Sequence, residues 1–200
     1  MSLMKRLFVW LSRIGKCRGF GIQSPSDYRF VRYVINEHWP YYQYAELGHG
    51  DDWLTRKLGK LYFRLCNDRQ PSSVLSIGGN HPYDAYIQSG CNKTRLVHMA
   101  LNEINDDAMR RLFKENSPAI IRMDTDCLVL GQQYMVSILK EVPNQSFLVL
   151  EHIHQDRQTI RQWRELLAKC SRNVISFDLY YCGIIIFDDA RTTQHYVINF

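Results

Sequence analysis

The sequence predicts an α/β protein with a mostly parallel sheet, a C-terminal antiparallel hairpin and an N-terminal helical extension. Three observations carry this. The short apolar runs Val74–Ile77 and Phe147–Leu150 read as strands buried on both faces. Segments with helical periodicity separate the strand-like runs, the alternation that βαβ units produce. After the last of these helices the rhythm breaks into three strand-like stretches with a turn between the final two.

At the start of the chain, Leu3, Leu7, Trp10, Leu11 and Ile14 fall near helical spacing, interleaved with Lys5, Arg6, Arg13, Lys16 and Arg18 before any acidic residue. Such a segment either docks on the domain as an amphipathic helix or acts as a basic arm toward nucleic acid or anionic lipid; docking is the expectation. Its apolar run, Leu7 to Leu11, is too short for a secretory core, and no run approaches the ~20 residues of a membrane span. Ser24-Pro25 with Asp27 starts a helix whose apolar face is Phe30, Val31, Val34 and Ile35, and Pro40 stops it. Gly48 to Asp52 is a turn or linker, which puts the helical extension at 1–50 and the main domain at 51–200.

Leu54, Leu58, Leu61, Tyr62 and Leu65 predict a helix leading through Pro71 into strand Val74–Ile77. There follow a weakly marked helix at 83–89, a strand at Arg95–Leu101, helices at Asp106–Lys114 and Gln132–Glu141 flanking a strand at Ala119–Met123, strand Phe147–Leu150 and helix Arg157–Ala168. The interval from strand two to Ala119 is short, so one βα unit is compressed or missing. Val174–Leu179, Gly183–Phe187 and His195–Phe200 close the chain, with Asp188–Arg191 turning between the last two and His195–Phe200 antiparallel to its neighbour.

A chain of 200 residues, 46% apolar, can bury one good-sized core. The six cysteines form no C-x-x-C pair, which excludes a zinc knuckle or thioredoxin-type motif and leaves scattered thiols that suit a reducing, cytoplasmic setting.

Val74 to Tyr83 has the frame of a nucleotide-binding strand and turn: a short apolar strand, then Gly78-Gly79 to let backbone N–H groups approach a ligand. Pro82 stands where a third glycine belongs. The order of elements resembles the class I S-adenosylmethionine-dependent methyltransferases, and over roughly residues 16–200 it resembles their bacterial O-methyltransferase-like subgroup. The resemblance rests on Phe20-Gly21-Ile22-Gln23-Ser24-Pro25-Ser26, the tyrosine cluster Tyr41-Tyr42-Gln43-Tyr44, Glu151-His152-Ile153-His154-Gln155-Asp156 with Trp163, Asp178 to Phe187, and Gln194-His195-Tyr196. It implies a Rossmann-like methyltransferase sheet, S-adenosylmethionine as cofactor held by Gly78, Gly79, Asn80, Asn102, Glu103 and Asp124, and a small-molecule methyl acceptor. Metal-dependent relatives also imply a divalent cation at Asp124, Glu151 and His152.

The chain departs from that pattern at the cofactor turn. Ser76 replaces the usual acidic residue, and Leu101-Asn102 stand where a ribose-binding carboxylate is expected, with Glu103 slightly late. S-adenosylmethionine binding is therefore expected to be weak. His81 offers a base without an identifiable partner, the His152-x-His154 pair lacks a third nearby ligand, Asp106-Asp107 read as a helix cap, and Arg157, Arg161 and Arg164 as a solvated face. Two functions stay open: a small-molecule O-methyltransferase, or a catalytically inactive methyltransferase-fold protein that binds a protein partner or serves as a scaffold. A homo-oligomer is compatible with either, and specific nucleic-acid binding is not expected because no aromatic-basic motif accompanies the modest net charge of +5.

Overall fold

The computed structural model describes residues 3–17, 19–115, 119–124 and 132–200; Arg18 of the basic arm and Cys127 lie outside the described residues. Backbone contacts gather the chain into two compact units. One is Met1–Gln70, Pro82–Asn92 and Val197–Phe200; the other is Pro71–His81 and Lys93–Tyr196.

The first unit is helical. It holds α1 (Leu3–Ser12), α2 (Pro25–Phe30), α3 (Trp53–Arg69) and α4 (Asp84–Gly90). Ser24 caps α2, accepting from the Asp27 N–H, with Pro25 at the first helical position. The helix continues as a wide turn over Val31–Ile35, and the carbonyls of Val34 and Ile35 accept from the buried Arg64 guanidinium at 2.6 and 3.0 Å. Buried carbonyls at a helix end need such a donor. Leu58, Leu61, Tyr62 and Leu65 of α3 are buried, as the periodicity predicts. The tyrosine cluster closes on the same helix: the Tyr41 and Tyr44 rings pack at 4.9 and 5.1 Å from Phe63.

The expected docking of the N-terminal segment is not what its apolar face does. Of α1, only Val9 is buried, while Leu3, Met4, Leu7, Phe8, Trp10 and Leu11 are exposed.

The second unit is a seven-stranded sheet of order β2-β1-β3-β4-β6-β5-β7, from β1 (Ser73–Ile77), β2 (Arg95–Met99), β3 (Ala119–Met123), β4 (Phe147–Glu151), β5 (Val174–Asp178), β6 (Cys182–Phe187) and β7 (Gln194–Val197). β2, β1, β3 and β4 are mutually parallel. β6 runs antiparallel to both neighbours, β4 and β5. The antiparallel hairpin is thus β5–β6, turning through Leu179–Tyr181, rather than the expected pair of final strands; β7 lies beside β5 at the edge and ends at Val197. Asp188–Arg191 does turn, with Arg191 N–H on the Asp188 carbonyl at 3.1 Å, but it leads to the sheet margin.

Among the described residues no strand stands outside β2, and the described part of the interval to β3 carries a short helix, Leu101–Glu103, and α5 (Asp106–Glu115), in keeping with a compressed βα unit. As an edge strand β2 is half-exposed, whereas β1 and β4 are buried throughout. Leu75, Ile77, Ile121, Met123, Leu148, Leu150, Ile185 and Phe187 form one face of the sheet and pack with Met109 and Phe113 of α5, Met135 and Ile138 of α6 (Gln132–Glu141) and Trp163 of α7 (Arg157–Lys169). Gly183 of β6 lies under Trp163: a Cβ there would stand 2.6 Å from the indole. The capping of α5 falls to Asn105, whose side chain accepts from Ala108 N–H at 2.9 Å; Asp106 and Asp107 instead pair with Lys140 and Arg110. Arg157, Arg161 and Arg164 are exposed.

Candidate functional site at the carboxyl edge of the sheet

In an open α/β sheet, ligands bind beyond the carboxyl ends of the strands, where helix and loop connections leave a crevice. The connections after β1, β2, β3, β4 and β5 leave that edge.

The connection after β1 is held from beneath by a buried polar chain. Ser76 is the register partner of both His98 on β2 and Arg122 on β3, so the three share one row and one face. Arg122 is 3% exposed and donates from Nε and Nη2 to the two carboxylate oxygens of Glu151 at 2.7 and 3.0 Å. Its Nη1 donates to Ser76 Oγ at 3.3 Å and to the Asn80 carbonyl. Ser76 Oγ also meets His81 Nδ1, 2.9 Å away. The His81 ring rests against His98, centroids 3.8 Å apart.

Gly78 begins the turn with φ +124°, its N–H on the Met99 carbonyl at 3.2 Å. Only glycine fits, because φ is positive and the Asp124 carboxylate packs where a Cβ would lie. Over Gly79 there is open space. Asn80 and Asn102 are exposed, and Glu103 is committed locally: its Oε2 accepts the Ala100 N–H at 2.8 Å and closes the short helix Leu101–Glu103.

The residues of the expected metal centre have other neighbours in the structure. Glu151 is engaged by Arg122, Asp124 abuts Gly78, and His152 has a left-handed backbone at φ +56°, with its N–H on the Tyr181 carbonyl. Among the described residues no group of three or more His, Cys, Asp or Glu side chains comes together to hold an ion. The buried Glu151 carboxylate is paired with the buried Arg122 guanidinium.

A second cluster lies after β4 and β5. His154 Nε2 meets Asp178 Oδ2 at 2.7 Å, and Asp178 Oδ1 accepts the Tyr180 N–H at 2.9 Å. Tyr180 is itself left-handed, φ +70°, and stacks on His154 with centroids 4.8 Å apart. Two non-glycine residues in this conformation on adjoining connections mark strain that the surrounding hydrogen bonds sustain. A cavity of about 570 Å³ lined by residues of α6 and α7, among them Met135, Leu139, Gln162 and Leu166, borders neither cluster.

Gly78, Gly79 and Asn80 thus stand on one turn with Asp124 against Gly78, and Asn102 and Glu103 stand on the connection after β2. Sequence reasoning missed Arg122, His98, Asp178 and Tyr180. A signal for the first existed: an arginine inside the apolar run Ile120-Ile121-Arg122-Met123 must find a partner.

No family profile matches the chain, and no curated protein matches it. Solved structures do. The SAH-bound methyltransferase PaMTH1 of Podospora anserina is 12% identical, with 84% of this chain and 97% of that one covered and a TM-score of 0.52. MycE, a methyltransferase of the mycinamycin biosynthetic pathway crystallised with Mg and SAH, is 12% identical over 66% of this chain, with a TM-score of 0.50. The chain spans about half the length of MycE, 49%. The fold is that of the class I S-adenosylmethionine-dependent methyltransferases. At such identity the likeness is one of fold.

The cofactor that this fold implies fits the turn poorly. Ser76 and its neighbours place a guanidinium, not a carboxylate, behind the glycines, and S-adenosylmethionine is cationic at its sulfonium. Pro82 lacks an N–H to offer a ligand, and the Glu103 carboxylate already accepts a backbone donor.

Proposed function

We propose that this chain is a methyltransferase-fold protein whose cofactor turn is closed by its own side chains and which acts by binding a partner rather than by transferring methyl groups. The observation that supports this reading is the chain Glu151–Arg122–Ser76–His81, which sets a buried guanidinium behind the turn with its Nη1 on the Asn80 carbonyl. Removing two or three cofactor hydrogen bonds at ~1 to 3 kcal/mol each lowers affinity by roughly a hundredfold or more. Calorimetric titration with S-adenosylmethionine and its demethylated product is expected to give no binding in the micromolar range. Ser76→Glu alone is not expected to restore it, because Arg122 would pair with the new carboxylate. Micromolar binding by the unmodified protein would favour the enzyme over the binding protein.

A second reading, an O-methyltransferase of a small molecule, draws on the His154–Asp178 pair. A carboxylate that orients an imidazole at the carboxyl edge is the arrangement of a general base for a substrate hydroxyl. It requires cofactor binding in that same titration, together with label transfer from the methyl donor to a phenol that His154→Ala abolishes.

A further inference from the structure

Three cations share one face of α3. Lys57, Lys60 and Arg64 recur at i, i+3 and i+7, a spacing that stacks side chains on a single side of a helix and sets like charges against one another. Arg64 is buried and gives its Nε and Nη2 protons to neutral acceptors, the carbonyls of Val34 and Ile35. The Lys60 ammonium lies over the Tyr44 ring at 4.7 Å, and that of Lys57 over the Phe200 ring at 4.0 Å. Among the described residues neither Lys60 nor Arg64 forms an ion pair with a carboxylate. Burial, and then Arg56 and Arg64, hold the Lys60 pKa below its ordinary value, so this ammonium is at once desolvated and repelled.

The three side chains line a cavity of about 480 Å³ within the first unit, a size that takes a small organic ligand. The rest of its lining is rich in rings, Trp39, Tyr41 and Tyr44 among them, and Trp39 is 71% exposed. Glu37 is the one acidic side chain among the described lining residues, and it already accepts the Tyr41 hydroxyl at 2.8 Å. Three cations against one carboxylate give the cavity a positive field, where an anion gains from charge and a planar one gains also from contact with the rings. A cationic ligand meets the wrong sign, and a neutral one leaves the repulsion along α3 as it stands. We propose that this cavity is a binding site for a small organic anion, a carboxylate or phosphate carried on a planar ring, with the anionic group held by Lys57 and Lys60 in the field of Arg64 and the ring against Trp39. None of the lining residues belongs to the two clusters at the carboxyl edge, so a ligand here does not require S-adenosylmethionine.

NMR titration of the full chain with benzoate and with phenyl phosphate tests this, against benzyl alcohol and benzylamine. At least one of the anions is expected to bind at least about tenfold more tightly than the alcohol or the amine, and the tighter anion identifies the head group. Benzoate should exceed cyclohexanecarboxylate, of equal charge, by at least about threefold. Lys60→Met keeps the apolar stem and should weaken the bound anion at least about tenfold, whereas Lys93→Met, the same charge change on an exposed residue outside the cavity, should leave it unchanged. Should Lys60→Met alter the melting curve, Lys57→Met is read in the same way. Equal binding of the alcohol or the amine, no binding of either anion at millimolar concentration, or equal weakening by Lys60→Met and Lys93→Met overturns the proposal. So does cyclohexanecarboxylate binding as tightly as benzoate, which would leave the rings of the cavity without a part in recognition.

Discussion

Arg122 and Glu151 together decide how the carboxyl edge is wired. Both are buried, and each satisfies the other in a two-pronged contact. Removing one partner strands a charge in the interior. Arg122→Met is therefore expected to lower unfolding free energy in urea by about 3 to 5 kcal/mol, whereas Arg122→Met with Glu151→Leu should recover most of the loss. A single variant as stable as the parent would show that water reaches the pair. The charge in β3 was visible in the sequence; its partner was not, because register places Arg122 opposite Val149 and only the reach of the guanidinium brings Glu151 into range. Ser76 and Pro82 were recognised as departures from the cofactor turn, but what fills the space of the missing carboxylate depends on a residue of another strand.

Elements with strong local signals form where the sequence puts them. α3 starts at Asp52, which accepts from Leu54 N–H at 2.7 Å and Thr55 N–H at 3.4 Å, and its buried face follows the predicted periodicity. These bonds hold the Asp52 carboxyl below the usual carboxylate range, the Thr55 hydroxyl being the largest cause. Asp52→Ala is expected to cost about 1 kcal/mol, measured by thermal or urea unfolding. Weaker local signals failed in an instructive way. The final apolar stretch reads as a strand wherever it goes, and alternation alone does not say which neighbour it takes. Sheet order gives β6 two partners and leaves β7 beside β5, where His195 Nδ1 meets Ser176 Oγ at 2.7 Å. Likewise the amphipathic pattern of α1 fixed that it is a helix, while the side turned to the protein was opposite to expectation.

Over the whole molecule, stability depends on tyrosines that folding keeps protonated. Burial, then the Asp51 carboxylate that accepts from its hydroxyl at 2.9 Å, raises the Tyr86 pKa, and burial with Glu37 pushes Tyr41 up to about 12. In the unfolded chain both titrate near ~10. Below that pH the contribution is fully present; above it the unfolded state loses its protons first, so stability falls as pH rises toward the folded values. Urea midpoints are expected to decline from pH ~10 upward, with less decline in Tyr86→Phe. A flat profile would mean that these hydroxyls ionise freely in the native state.

The sequence by itself determined the α/β class, the buried central strands, the glycine turn after β1 and the compressed unit between β2 and β3, because these follow from local periodicity and backbone chemistry. It also marked the cofactor turn as altered. Tertiary structure alone decided the joining of Ser76 to Arg122, Glu151 and His81, the pairing of β5 with β6, and the outward face of α1. Each of these is a choice of partner between residues distant in the chain, made by register, reach and burial, and the spacing along a sequence carries no record of them.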